Sequence, residues 1–187
     1  MTDTATISVP GYKAGTWVLD PSHSEVTFSV RHMMISKVRG TFGVKSATIV
    51  APENPLEAKV EATVDVASID TKDEGRDNHL RSGDFFDVET HPSMTFVSTG
   101  TRYEDGEFLV DGDLTIRGVS KPATFTLEFG GFGTDPWGNY KAGATATTVI
   151  DREEFGLTWN AALETGGVLV GKDVTISLDL QGALQQD

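Results

Sequence analysis

Between Glu57 and Val66 apolar and polar residues alternate one for one. Ala58, Val60, Ala62, Val64 and Val66 take the even positions, and Glu57, Lys59, Glu61, Thr63 and Asp65 the odd ones. A period of two marks a β-strand with one dry face and one wet face. The same alternation returns at Val26-Phe28-Val30, Phe108-Val110-Gly112-Leu114-Ile116, Ala123-Phe125-Leu127-Phe129, Ala142-Ala144-Ala146 and Val174-Ile176-Leu178-Leu180. No long amphipathic helix is patterned to cover these faces. The strands must therefore cover one another, as a sandwich or as a closed barrel. Strands are predicted over 15–20, 25–33, 41–50, 57–69, 93–99, 107–116, 122–130, 139–150 and 170–181.

The breaks between strands carry turn chemistry. Pro21-Ser22-His23-Ser24, Pro52-Glu53-Asn54-Pro55 and the segment from Arg117 to Pro122 read as turns, and Asp105-Gly106 is a strong hairpin signal. One stretch, Lys72 to Val88, abandons the period of two. Asp73 is placed to cap a helix, Arg81 falls late in it and Gly83 can end it, which predicts a helical excursion around 72–83. It is too short to form a core layer and is expected to lie across an opening of the sheet. No repeat, linker or low-complexity segment divides the chain. The expected organisation is a flexible arm at 1–14 and a single barrel domain over 15–182.

The dry faces are uneven. Ala58, Ala62, Ala142, Ala144 and Ala146 are small, whereas Trp17, Phe28, Phe96, Phe108, Phe125 and Phe129 are large. Small residues set opposite large ones give a filled barrel. The alternative is a lumen left partly open, since a barrel of about eight strands can hold one small ligand.

Composition narrows the function. There is no cysteine, so disulfides and thiolate metal sites are excluded. Fifteen Lys and Arg against 28 Asp and Glu leave a net charge of −13. Such acidity counts against nucleic acid and against anionic membrane surfaces as partners, although a local basic spot can still bind an anion. No window approaches the ~20 apolar residues of a membrane-spanning helix, and stable membrane insertion is not expected. The polar, Thr/Ala-rich start lacks the apolar core of a secretory signal, so a cytoplasmic location is expected.

Five segments in order resemble the YceI-like family. They are Trp17-Val18-Leu19-Asp20-Pro21-Ser22-His23-Ser24 running on to His32, with Val38-Arg39-Gly40-Thr41-Phe42; the stretch from Arg76 to Asp87 with His91-Pro92 and Phe96; Gly112 to Pro122; Arg152 to Leu157; and Val170-Gly171-Lys172. The resemblance implies an all-β, extended eight-stranded antiparallel lipocalin-like barrel holding a polyisoprenoid or similar long-chain amphiphile. It also implies a homodimer. Many relatives are exported, and the expected cytoplasmic location departs from them.

The chemical candidates are few. His23, His32, His79 and His91 show none of the HxH, HxxxH or HExxH spacings of a metal site. Ser22-His23-Ser24 has a nucleophile beside a base but no GxSxG elbow, and its hydroxyls equally suit a polar turn. Asp84 and Asp87 can act as an acid–base pair or as helix-end caps, with Phe85 and Phe86 as anchors. Arg31, His32, Arg39, His79 and Arg81 form a cationic set suited to a phosphate or carboxylate head group; equally, Arg39 and Arg81 can pair with Asp84, Asp87 or Glu89 in surface salt bridges. The reading is a binding protein with no catalytic residues, no metal and no cofactor. Its expected ligand-binding set is His23, Phe28, Arg31, His32, Arg39, Phe42, His79, Leu80, Arg81, Phe85, Phe86, Phe96 and Trp159. The alternatives are a small hydrolase or isomerase acting on such a lipid, and a ligand-free scaffold.

Overall fold

The structure is a computed structural model that describes residues 7–186. Nine antiparallel strands form one sheet: β1 (Gly15–Leu19), β2 (Glu25–His32), β3 (Ser36–Ala51), β4 (Lys59–Asp70), β5 (Ser93–Glu104), β6 (Glu107–Ile116), β7 (Val119–Thr134), β8 (Tyr140–Asp151) and β9 (Val170–Leu184). One short helix, α1 (Glu74–Arg81), joins β4 to β5. The sheet closes because β3 pairs with β4 as well as with β2.

Although there are nine strands, the barrel has eight staves. β1 pairs with the last residues of β3 (Thr48–Ala51) and of β9 (Gly182–Leu184). β2 pairs with the first residues of β3 and with β9 from Val170 to Asp179. β1 and β2 are thus two halves of one stave. Pro21 interrupts it because it brings no N–H to the ladder. Asp20 fills the gap by accepting from the Ser22 amide at 3.0 Å, which sets a single 3-10 turn over Pro21–His23.

Several strands outrun their predicted limits. β3 begins at Ser36, and β7 extends from Val119 to Thr134. The turn before β7 is only Arg117-Gly118, with φ of 50° and 72°. Pro122 sits inside β7 opposite Asp113. It is tolerated because β8 pairs with β7 only from Thr126 onward, so no donor is needed on that side. β9 continues to Leu184, past the expected domain limit at 182.

The expected excursion at 72–83 is α1, with Asp73 as its cap: the carboxylate accepts from the Arg76 amide at 2.9 Å. Ser82, not Gly83, ends it, its amide donating to the His79 carbonyl. Of the expected flexible arm, residues 1–6 lie outside the described residues. Residues 9–13 are fastened: the Tyr12 hydroxyl donates to the Pro52 carbonyl at 2.7 Å and the Tyr140 hydroxyl to that of Gly11.

The two ends of the barrel differ. One is covered by the segment between β4 and β5, which carries α1, and by the segment between β8 and β9. The tightest packing is there: Val66, Ile69 and Phe155 are essentially inaccessible. The buried polar residues Thr71, Asp77 and Arg152 belong to the same two segments. The other end is bounded by the Asp105-Gly106 hairpin, the 135–139 turn, the 52–57 connection and the strap around Tyr12.

Candidate functional site

Alternation aims Val44, Ala47, Val60, Ala62, Val64, Phe108, Val110, Leu127, Phe129, Ala142, Ala144, Ala146, Leu178 and Leu180 into the barrel, and all of them line one cavity of about 260 Å³. The wall is almost wholly hydrocarbon, and Tyr12, Thr95 and Thr101 are the lining residues that carry a hydroxyl. Val60, Phe108, Leu127, Phe129, Ala144 and Leu180 point inward yet are only half-buried. A solid core would bury them, so the lumen is hollow along this half. Apolar cavities of ~150 Å³ stay dry and admit benzene; this one is larger and no more polar.

The cavity runs from mid-barrel, at Val26, Met94, Leu114 and Ile176, to the end bounded by Trp17, Ala51, Pro55, Phe132 and Gly182. There the strap Gly11-Tyr12-Lys13 crosses the opening. Lys13 places its ammonium 3.8 Å from the centroid of the Tyr140 ring, and its carbonyl accepts from the Trp17 indole at 3.1 Å. Burial, and then the charge of Glu53, push the Tyr12 phenol pKa up.

The opposite end is plugged by aromatic rings. Phe28 packs on Phe42, and Phe42 meets Phe86 edge-on. Trp159 contacts both Phe85 and His79, with ring centroids 5.4 Å and 4.7 Å apart. Glycine makes room for a ring in this plug and for another on the lumen wall. Any Cβ on Gly40 would collide with the Phe28 ring, and any on Gly112 with the Phe96 ring.

Of the expected ligand-binding set, Phe96 lines the lumen. Phe28, Phe42, Leu80, Phe85, Phe86 and Trp159 belong to the core at the plugged end. The cations are placed differently from a head-group clamp. Arg81 donates to the backbone carbonyls of Ala67 and Ile69 and to the Asn78 side chain, at 3.1, 2.9 and 3.2 Å. It makes no salt bridge to Asp84, Asp87 or Glu89. His79 pairs with Asp84 at 2.9 Å. Arg31 and Arg39 point outward from β2 and β3 and are exposed, and His32 is half-buried beside the hairpin tip. His23 lies on the outer surface, in a shallow groove with Gly130, Lys141 and Gln181.

Arginine charge here staples backbone. Arg117 ties the two capping segments together by donating to the carbonyls of Gly156 and Gly83, at 2.8 and 3.0 Å. Arg152 is buried and donates to the carbonyls of Leu157, Trp159, Gly171 and Val170. Sequence alone shows that these side chains are cationic but not which acceptors they reach, and none of the four acceptors of Arg152 is a carboxylate.

The Ser22–His23 pair is not arranged as a nucleophile and its base. His23 Nδ1 lies 2.7 Å from Asp20 Oδ2 and 3.1 Å from Ser22 Oγ, so hydroxyl and carboxylate share one ring nitrogen. A catalytic triad needs them on opposite nitrogens. Ser22 Oγ instead donates to Asp20 Oδ1 at 2.6 Å. Hydrogen bonds from Ser22 and then His23 hold the Asp20 carboxyl far below the usual carboxylate range. Among the described residues no three His, Asp or Glu side chains are grouped to hold a metal ion, and no helix is long and apolar enough to cross a membrane.

A closed antiparallel barrel with a hydrocarbon lumen, plugged at one end by a helix-bearing segment, is a lipocalin-like barrel. The YceI-like domain profile matches residues 17–182, and the chain belongs to that family. A UPF0312 protein of Staphylococcus aureus strain USA300 is 38% identical over 172 residues, covering 91% of this chain and 98% of its own. The YCEI protein of Campylobacter jejuni superposes with a TM-score of 0.67 at 29% identity, covering 83% of this chain and 90% of its own. A Saccharophagus degradans domain, described as polyisoprenoid-binding and implicated in plant cell wall breakdown, superposes with a TM-score of 0.68. At 14% identity over 90% of this chain and 98% of its own, that likeness is one of fold.

Proposed function

We propose that the barrel binds a long-chain apolar lipid of the polyisoprenoid class in its lumen and releases it chemically unchanged. The observation that carries this reading is the hollow half of the barrel, where inward-facing apolar side chains are left half-buried around about 260 Å³. Binding moves hydrocarbon out of water at about 25 cal/mol per Å² buried. The aromatic plug closes one end, so the chain enters tail-first and its polar end stays near Tyr12, Lys13 and Tyr140. The fold-level likeness to the Saccharophagus domain supports the ligand class. The outward, shared-nitrogen arrangement of Ser22 and His23 favours binding over hydrolysis. The homodimer is part of the same reading, and sedimentation velocity tests it.

Native mass spectrometry of protein from its own host, followed by organic extraction, tests the proposal. A co-purifying lipid, and stoichiometric rebinding of a long-chain isoprenoid alcohol by stripped protein, are expected. Protein that neither carries nor rebinds lipid would favour the scaffold alternative. A ligand recovered in altered form would favour the enzyme.

A further inference from the structure

The hairpin joining β2 to β3 carries a surface that the lumen does not use. Its tip is Met33-Met34-Ile35, three apolar side chains in succession that are 43%, 55% and 81% exposed. Met33 and Met34 hold φ of 52° and 62°, in the left-handed region where tight turns favour Gly or Asn. Large apolar side chains therefore stand where both backbone sterics and water disfavour them. Outliers of this kind point to a demand from outside the fold. The tip is also positioned firmly: the Met33 amide donates to the Leu169 carbonyl at 2.7 Å, next to exposed Val168.

The same hairpin carries a cationic collar. Arg31 lies directly across from Lys37, and Arg39, across from Ser29, shares their outward face. All three are exposed. None joins an ion pair among the described residues. Of the acids on the flanking strands β4 and β9, those nearest the tip are Asp70, paired with Lys72 at 3.4 Å, and Asp173, opposite Asp151 in the β8–β9 register; Glu61, Asp65 and Asp179 lie farther along. Three unpaired cations beside three exposed apolar residues stand out in a chain of net charge −13.

We propose that this hairpin is a docking tip for anionic lipid bilayers. Met33, Met34 and Ile35 enter the interfacial layer, and Arg31, Lys37 and Arg39 meet the head groups. A bilayer fits better than a protein partner because the tip is narrow and convex. A stable protein interface needs about 800 Å² of matched surface per partner, whereas an interface of lipid yields to a protrusion and responds to apolar area and basic charge together. Screening over about 8–10 Å limits the encounter to the charges nearest the tip, so the collar on the hairpin counts for more than the acids of the capping segments, Glu74, Asp84, Glu153 and Glu154 among them. Docked this way, the barrel stands with its plugged end on the bilayer and its Tyr12 end toward water. The proposal does not depend on what the lumen holds.

Vesicle co-sedimentation with the full chain tests it, using phosphatidylcholine alone and phosphatidylcholine mixed with phosphatidylserine. Wild type is expected to bind the mixed vesicles and not the neutral ones, with binding falling as salt rises. Lys37→Gln and Arg39→Gln should each weaken binding about fivefold. Ile35→Ser should weaken it about tenfold. These side chains are exposed, so unchanged thermal melting checks that the variants are folded. Wild type left in the supernatant with mixed vesicles, or variants that sediment like wild type, would overturn the proposal. So would substitutions that leave vesicle binding alone and change only the sedimentation mass of the protein, since that assigns the tip to a second copy of the chain.

Discussion

Ala144→Phe separates a hollow lumen from a packed one. Ala144 lies on β8 across from Phe129 and Leu180 and faces the cavity. In a solid core the added ring would overpack the site and destabilise by ~1–3 kcal/mol. At ~2–4 °C per kcal/mol for a chain of this size, the melting temperature would fall by ~2–12 °C. In an open lumen of about 260 Å³ the ring finds space and buries its own surface. Stripped protein should then melt at or above the wild-type temperature. The same ring takes room from a ligand. If it displaces three or four methylenes at ~0.8 kcal/mol each, binding weakens by ~3 kcal/mol, or about a hundredfold. The assay pairs a melt of lipid-stripped protein with titration of a long-chain isoprenoid alcohol. Thr145→Phe, on the exposed face of the same strand, should leave affinity unchanged. A lowered melting temperature with unaltered affinity would refute the hollow-lumen reasoning.

Other expectations follow from the caps and the turns. Arg152→Met leaves four carbonyl acceptors unpaired and should lower stability by ~3–5 kcal/mol in chemical denaturation; a change near zero would mean that water replaces the guanidinium. Gly112→Ala sets a Cβ 2.6 Å from the Val97 carbonyl oxygen, a backbone atom that cannot rotate away, and should lose ~2–3 kcal/mol. Gly106→Ala, at φ of 85° in open space, should lose only ~1 kcal/mol, so equal losses would contradict the packing argument. The Asp20 carboxyl, held down by Ser22 and His23, contributes stability above its unfolded pKa of ~3.9, and that contribution is lost as pH falls through the lower folded value. Its carboxyl carbon shift should therefore stay flat from about pH 6 to pH 3, and an ordinary titration there would break the assignment.

Much of the barrel is legible in the chain because a half-buried strand must alternate. Asp105-Gly106 reads correctly as a tight hairpin, with φ of 52° and 85°, and Asp73 reads correctly as a cap. What the pattern misses is long-range. Pro122 looks like a strand start, but its place inside β7 is allowed by where the β7–β8 ladder stops, which leaves that side of the strand unpaired. The union of β1 and β2 into one stave depends on β3 and β9 being long enough to serve both.

The location of the site is the harder inference, and the reason is physical. Apolar alternation has the same appearance whether the dry face meets other side chains or empty space. The signal that distinguishes them is which end of each strand carries the bulk. Large rings from β2, β3 and the two capping segments, namely Phe28, Phe42, Phe85, Phe86 and Trp159, converge on one end and fill it. At the other end Ala58, Ala62, Ala142 and Ala144 lie among Trp17, Phe108, Phe129 and Phe132, and the alanines leave the space between those rings open. The family motifs around Arg76 to Asp87 and Arg152 to Leu157 lie at the filled end, where arginines and aspartates satisfy the carbonyls and amides of irregular segments. Those segments need such partners because they lack a ladder. The hollow half is walled by regular strands whose backbone groups are already paired, so it needs only apolar side chains. A cluster of polar motif residues therefore marks where this fold is closed, and the least distinctive part of the sequence marks where it is open.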